Sequence, residues 1–295
     1  MRLLIYGAGV IGSLYAVLFA KAGYDVTVYA RGRRLQELKT FGLVYREKGA
    51  VRTAKVKIID HLKEDDCYDF VITAVRETQI HAVLKELHKN QSPTIVTMVN
   101  TSEDYTEWEK IAGEGRILPA FPGAGGSIEN GVLHASLTPA MIQRTTFGEI
   151  NGEKTERVMQ LTKILEVAKI PYEICEDMQN WQLCHLSLVV PLADAYYESD
   201  DPQYVGQNKF IMEKTARQLK ENFSLLSAQG YTILPKKLST LEKLPVALLA
   251  QGLSLIYESD FGNTFMYQHA IKASDEMRSL HNQLYAKLNT RRTMV

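Results

Sequence analysis

The chain has no excess of either charge: 34 Lys plus Arg balance 34 Asp plus Glu over 295 residues. A protein that holds nucleic acid by its phosphates carries a basic excess, so that class is set aside. Cysteine is scarce. Cys67, Cys175 and Cys184 are odd in number, far apart and without a CxxC pair or metal-ligand spacing. This excludes a disulfide scaffold, leaves no metal site to expect, and reads as reduced thiols in a cytoplasmic protein. No apolar run reaches the length that spans a bilayer, so no membrane partner is expected. The N-terminus has no charged-then-apolar leader; its apolar run reads as a strand. Repeats and low-complexity segments are absent. Hydrophobic residues make up 45% of the chain, enough for one large or two medium domains.

The stretch Leu3-Leu4-Ile5-Tyr6-Gly7-Ala8-Gly9-Val10-Ile11-Gly12 reads as a short strand running into a glycine turn and a helix. Gly7, Gly9 and Gly12 have the spacing G-x-G-x-x-G. In a dinucleotide-binding unit the first glycine permits the turn and the second lets the backbone approach a pyrophosphate. The third lets the helix pack on the strand. The helix then points free N–H groups and its positive dipole end at the phosphates. A glycine-rich turn in another α/β protein is the plainer alternative. Strand, turn and helix in the required order favour the nucleotide reading, with Gly7, Ala8, Gly9, Val10, Ile11 and Gly12 as cofactor-binding candidates.

Val10, Leu14, Val17 and Leu18 share one helical face, and Gly23 closes that helix. Residues 25–30 read as a second strand. Its end is where an NAD-binding domain commonly places an acid on the ribose 2′-hydroxyl. Here the chain gives Arg31-Gly32-Arg33-Arg34 instead. A guanidinium matches a 2′-phosphate in charge and fork geometry, which points to NADP(H), the alternative being a solvated basic turn. Residues 53–59 form a strand or edge ribbon. Strands over 69–75 and 94–99 end at Arg76 and Asn100, with a helix over 78–87 between them. Ligands of open α/β sheets bind beyond the carboxyl ends of strands, so Arg76 and Asn100 become site candidates against a surface arginine and a turn asparagine.

Residues 116–120 read as a strand and 121–127 as a loop. Segments 131–135 and 145–149 read as a β-ribbon on which His134 is structural. A helix over 156–168 and a strand over 171–174 follow. From Asp177 the pattern turns helical, over 178–190, 208–229, 246–257 and 264–289. Pro191 is placed to kink or end the first of these. Residues 231–244 form a linker, and the tail 290–295, with Arg291 and Arg292, reads as a frayed end. The expected fold class is therefore α/β: an N-terminal Rossmann domain, doubly wound with a mostly parallel sheet, over 1–175. A mainly α-helical substrate and dimerisation domain follows over 176–295.

These residues carry a resemblance to the ketopantoate reductase (2-dehydropantoate 2-reductase) family over nearly the whole length. It rests on Gly7 to Gly12, on Tyr29-Ala30-Arg31 with Phe41-Gly42-Leu43 downstream, and on Gly131-Val132-Leu133-His134 before Phe147-Gly148-Glu149. Trp181, Pro191 and Glu258-Ser259-Asp260-Phe261-Gly262-Asn263 complete it. The resemblance implies a Rossmann domain and a helical domain, with NADPH and a small 2-oxo acid between them. It implies that Arg31 holds the 2′-phosphate, that Asn100 lies near nicotinamide and substrate, that Glu258 supports catalysis and that Asn263 faces substrate. Arg76 stands where the family often has a lysine.

One departure bears on the chemistry. The family's proton donor is a lysine just after the tryptophan. Counting from Trp181 puts Leu183 there, and counting back from Pro191 puts Gln182 there. Leu186 or Ser187 replaces the asparagine one turn on. Hydride delivery to a ketone needs a donor or cation at the developing oxyanion. Arg76 can anchor or polarise a carboxylate substrate. His185 offers an imidazole, whose intrinsic pKa suits proton transfer, and Glu258 can donate if buried. The catalytic candidates are thus Glu258, Arg76 and His185, with Asn100 and Asn263 for substrate. An NADPH-dependent 2-oxo acid reductase is the expected function. A non-catalytic NADP(H)-binding sensor, or a reductase of another carbonyl or imine, is the alternative. A homodimer through the helical domain is the expected assembly.

Overall fold

The computed structural model describes residues 1–290, without the side chains of His269 and Thr290. The expected frayed tail beyond them lies outside the described residues. The chain forms two compact units, one of Met1–Val99 and Glu103–Met178, the other of Asn100–Ser102 and the chain from Gln179. The boundary expected after residue 175 falls inside the first unit, just before its end.

The first unit contains β1 (Arg2–Tyr6), α1 (Val10–Lys21), β2 (Asp25–Tyr29), α2 (Gly32–Phe41), β3 (Leu43–Glu47) and β4 (Ala50–Ala54). There follow β5 (Lys57–Ile59), β6 (Phe70–Thr73), α3 (Ile80–His88), β7 (Ile95–Met98), α4 (Tyr105–Ala112) and β8 (Ile117–Phe121). The unit closes with β9 (Ala124–Glu129), β10 (Val132–Leu137), β11 (Thr145–Phe147), α5 (Glu156–Val167) and β12 (Tyr172–Ile174). Eight strands form one sheet in the order β12-β11-β8-β7-β6-β1-β2-β5. From β5 to β8 it is parallel; β11 joins β8 antiparallel. Leu3, Leu4 and Ile5 are each 0% exposed, so β1 shows no alternation, as a strand covered on both faces requires. The strand order reverses at β1, between β2 and β6. This is the Rossmann switch point, where the crevice for a ligand opens.

A second sheet has the order β4-β3-β10-β9. Two hairpins build it. Lys48-Gly49 and Asn130-Gly131 all have positive φ, the two-residue turn whose twist matches that of the strands it joins. Helix α1 packs against strands of both sheets, which is why it is buried almost all round, through Ser13, Tyr15, Ala16 and Phe19, rather than along one stripe.

Several expectations are corrected here. Residues 121–127 are not all loop, because β9 begins at Ala124. Segments 131–135 and 145–149 are not one ribbon: β10 pairs with β9 and β3, whereas β11 lies between β8 and β12 in the large sheet. Residues 53–59 split between β4 and β5, one in each sheet. Arg31-Gly32-Arg33-Arg34 is not a turn but the start of α2, with Arg31 as its N-cap. Helix α4, opened by the Asp104 side chain accepting from Thr106 N at 2.9 Å, was not expected.

The second unit is helical: α6 (Met178–Glu198), α7 (Lys209–Ala228), α8 (Thr240–Lys243), α9 (Val246–Tyr257), α10 (Gln268–Lys272) and α11 (Ser274–Thr290). Leu186, Val190, Phe223, Leu226, Leu280 and Leu284 are among its core residues. Pro191 does not end α6, which runs through it for 21 residues. Proline removes the donor to the carbonyl four residues back. That carbonyl, Ser187 O, accepts instead from Asn222 Nδ2 of α7 at 3.2 Å. The expected single helix over 264–289 is broken into a π-helical turn, Gly262–Tyr267, then α10 and α11. The linker over 231–244 carries a short 3₁₀ turn and α8. Within this unit Ser102 is strapped to α11. Its hydroxyl donates to Gln283 Oε1 at 3.2 Å and its carbonyl accepts from Lys287 Nζ at 2.7 Å.

Candidate functional site

The turn between β1 and α1 is closed on two sides and open on a third. A Cβ on Gly12 would lie 1.9 Å from Gly7 O, and one on Gly7 would lie 2.6 Å from Ala74 O on the strand-end segment after β6. Gly7 also has φ +112°, a conformation that a side chain strains. A Cβ on Gly9 would meet nothing within 4 Å. Gly7 and Gly12 are therefore required by packing, and Gly9 opens the turn to whatever binds there. Gly9 is the N-cap of α1 and offers no side-chain acceptor, so the first-turn N–H groups of Val10, Ile11 and Gly12 have no intrahelical partner. The Ala8 carbonyl is held by Ser13 Oγ and Arg34 Nε, each at 3.1 Å. The turn thus presents donors, not acceptors, at a helix N-terminus. That donor set fits a pyrophosphate.

Arg31 lies beyond the end of β2, its side chain 59% exposed. Parallel register pairs Tyr6 with Tyr29, and their rings stack at 4.3 Å. Arg31 Nε donates to Tyr29 Oη and Nη2 to Tyr6 Oη, both at 2.6 Å, and the guanidinium also pairs with Glu86 of α3. Burial, then Glu86 and Tyr29, push the Tyr6 phenol well above its ordinary range, so it stays neutral. Burial works to lower the Arg31 pKa, but the Tyr29 hydrogen bond and the neighbouring Tyr6 and Glu86 outweigh it and hold the charge. Arg34 is a bracing residue instead, tied to Ala8 O, Gly131 O and Glu37. Arg33 pairs with Glu37 at the surface.

Arg76 is exposed just past β6. Its backbone N–H donates to Gln79 Oε1 at 3.4 Å, opening the turn before α3. Asn100 follows β7, and its Oδ1 is buried with no hydrogen-bond partner among the described residues. An orphaned buried acceptor of this kind is open to a donor from water or from a ligand.

In the second unit, His185 is half-buried on α6 and stacks on Trp181, ring centroids 5.1 Å apart and planes 8° from parallel. Gln182 and Leu183, at the position where the resemblance implies a lysine, are 0% and 2% exposed and belong to the packed interior. Glu258 is exposed, as the C-cap of α9 where the helix gives way to the π-helical turn. Donation by Glu258 was expected to depend on burial, and that burial is missing. Asn263 is also exposed, inside the π-helical turn. Tyr6, Tyr29 and Glu86 were not singled out. The tyrosines could have been found by aligning the last residues of two adjacent parallel strands, whereas Glu86 carries no local signal. Among the described residues no group of three or more His, Cys, Asp or Glu is placed to hold a metal ion, and no helix is long and apolar enough to cross a membrane.

A family model described as ketopantoate reductase PanE/ApbA matches residues 3–152. The 2-dehydropantoate 2-reductase of Archaeoglobus fulgidus is 33% identical over 178 residues, covering 60% of this chain and 57% of that protein. The chain spans between 55% and 61% of the length of the curated relatives it matches. The crystal structure of 2-dehydropantoate 2-reductase from Porphyromonas gingivalis W83 superposes with a TM-score of 0.65 at 14% identity. That match covers 98% of this chain and 99% of the other. D-mandelate dehydrogenase, solved with NADH and anilino(oxo)acetate, gives 0.63 at 14% identity over 98% and 99%. These two structural likenesses establish the fold.

Proposed function

The chain belongs to the ketopantoate reductase family, and from that premise we propose that it is an NADPH-dependent reductase of a small 2-oxo acid, of the 2-dehydropantoate-to-pantoate type. The glycine turn carries this reading: Gly7 and Gly12 are closed by packing while Gly9 is open over the first N–H groups of α1. Val10, Ile11 and Gly12 N–H bind the pyrophosphate there. Arg31 takes the 2′-phosphate, its fork already aimed by the hydroxyls of Tyr6 and Tyr29. Bound in this way, a reduced nicotinamide supplies the hydride that a 2-oxo acid accepts. Asn100, with its orphaned Oδ1, orients the nicotinamide end and the substrate. Arg76 anchors the substrate carboxylate or polarises its ketone, and Asn263 contacts it.

The proton is the open role, because no lysine follows Trp181 on α6. The half-buried place of His185 against Trp181 supports it as the donor over the exposed Glu258, which is left a supporting role. The test is oxidation of NADPH with ketopantoate, then with a panel of 2-oxo acids, alongside direct NADPH binding. Turnover of ketopantoate supports the full reading. Tight binding without turnover of any 2-oxo acid overturns the reductase assignment.

A further inference from the structure

Glu86 has no role in the reading above, yet it holds the group on which cofactor choice turns. Arg31 has three partners at once. Tyr6 and Tyr29 hydroxyls orient its fork, and the Glu86 carboxylate neutralises it through Nη2, the nitrogen that also serves Tyr6. A 2′-phosphate on that fork would stand beside the carboxylate, and two anions on one guanidinium edge repel. A ribose 2′-hydroxyl at the same place carries no charge, and a carboxylate is the group that accepts its proton in NAD-binding domains. The acid missing from the end of β2 is thus supplied from α3, 55 residues on.

Glu86 also has a second place to rest. With Tyr29 it lines a cavity of about 590 Å³ whose wall carries Lys63 and Lys89, the latter the C-cap of α3, together with the acids Glu64 and Asp65. A carboxylate turned away from Arg31 has room there, among side chains of both charges. We propose that Glu86 sets the cofactor preference of this site: it accepts the ribose 2′-hydroxyl of NADH and must leave Arg31 before NADPH can bind. This rests on the nucleotide reading of the first unit. The chain is therefore a weak discriminator, taking NADH as well as NADPH.

The experiment is equilibrium binding of NADPH and of NADH to the wild type, E86Q and E37Q, read by nicotinamide fluorescence. Glutamine keeps the shape and the hydrogen-bonding oxygen but not the charge. Arg31 stays aimed by Tyr6 and Tyr29, so E86Q is expected to gain affinity for NADPH rather than lose it. The NADPH-to-NADH affinity ratio should rise about fivefold or more, with NADH affinity within about twofold of wild type. E37Q removes an equal charge that pairs with Arg33 and Arg34 instead, and should move the ratio less than about twofold. An unchanged ratio in E86Q overturns the proposal and leaves nucleotide binding standing. An equal shift in E37Q overturns it too, by assigning the effect to net charge. A wild type that binds neither nucleotide overturns the nucleotide reading and this proposal together.

Discussion

The first unit places its candidate residues where strands stop, and the second spreads its candidates over helices. The consequence is visible in what each position does. Gly7, Arg31 and Arg76 follow β1, β2 and β6, three adjacent parallel strands whose register fixes their ends side by side. Order along the chain therefore translates into place in space. In the second unit, periodicity separates core from surface but does not say which surface is a site. There Gln182 is in the packed interior, while Glu258 and Asn263 are exposed. A family position counted along a sheet keeps its meaning; counted along a helix it slips by one residue, here between Gln182 and Leu183, both in the packed interior.

Nucleotide binding is expected to suffer most at Gly12. In Gly12→Ala the new Cβ meets backbone at 1.9 Å, so α1 must move off β1. The expected loss is about 1–3 kcal/mol or more of stability, with nucleotide binding abolished, read by thermal melting and NADPH titration. Gly9→Ala separates function from packing. Its Cβ has open space and its backbone is ordinary, φ −71° and ψ −168°, so the melting temperature holds or rises. Its NADPH affinity should still fall about tenfold or more, because the side chain stands where a pyrophosphate approaches. Unchanged NADPH affinity in Gly9→Ala would remove the turn as the phosphate site.

The next effect probes the weaker half of the comparison. With ketopantoate or whichever 2-oxo acid turns over, His185→Ala should cost about a hundredfold to ten-thousandfold in kcat, the usual worth of a general acid. Glu258→Gln should cost far less, because its side chain is exposed. Equal losses would return Glu258 to the mechanism, and an unchanged kcat in His185→Ala would take the histidine out of it.

How far each unit could be read in advance follows the same physics. The strand–turn–helix opening, the parallel strands and most helices were legible, because burial on both faces or on one leaves a periodic mark. Several elements of the first unit, α4 among them, were not. Gly32 among arginines disguised the start of α2 and Gly125-Gly126 disguised β9. Asn130-Gly131, a strong hairpin signal, marks the turn between β9 and β10. The Arg31 cluster was legible only in its arginine. Tyr6 and Tyr29 meet through register, and Glu86 through a packing contact that no spacing encodes. In the second unit, the passage of α6 through Pro191 depends on Asn222, 35 residues from the carbonyl it serves.

Glu149 tests whether the first unit's rigidity is electrostatic in part. It is 5% exposed, and Arg157 Nε donates to its Oε1 at 2.7 Å. Burial would raise its pKa, but Arg157 and Thr155 overcome that and hold the carboxyl below its ordinary value. A depressed carboxylate stabilises the fold above the ordinary glutamate range, and that stability is lost as pH falls through the folded value. Glu149→Gln is expected to cost about 3–5 kcal/mol at neutral pH by denaturant unfolding, by leaving the Arg157 charge without a carboxylate, held by the carbonyls of Gly115 and Ile117. The gap to wild type should narrow in acid. A gap that stays constant with pH would mean the loss is packing alone.

The smallest effect belongs to α6, and it is a test of why the helix survives its proline. Asn222 is fully buried, donates to Ser187 O, and accepts from Gln218 Nε2 at 3.0 Å. Asn222→Ala leaves that carbonyl unpaired and should cost about 1–3 kcal/mol. Pro191→Ala restores an N–H four residues beyond Ser187, the donor that an unbroken helix would use. In the Pro191→Ala background, Asn222→Ala should therefore cost measurably less than in the wild type. The residue of the loss would be what Asn222 contributes through Gln218 and packing. If the two changes are additive in a double-mutant cycle, Asn222 is not compensating for the proline. The continuity of α6 would then rest on the packing of Leu186 and Val190 in the core rather than on a replaced hydrogen bond.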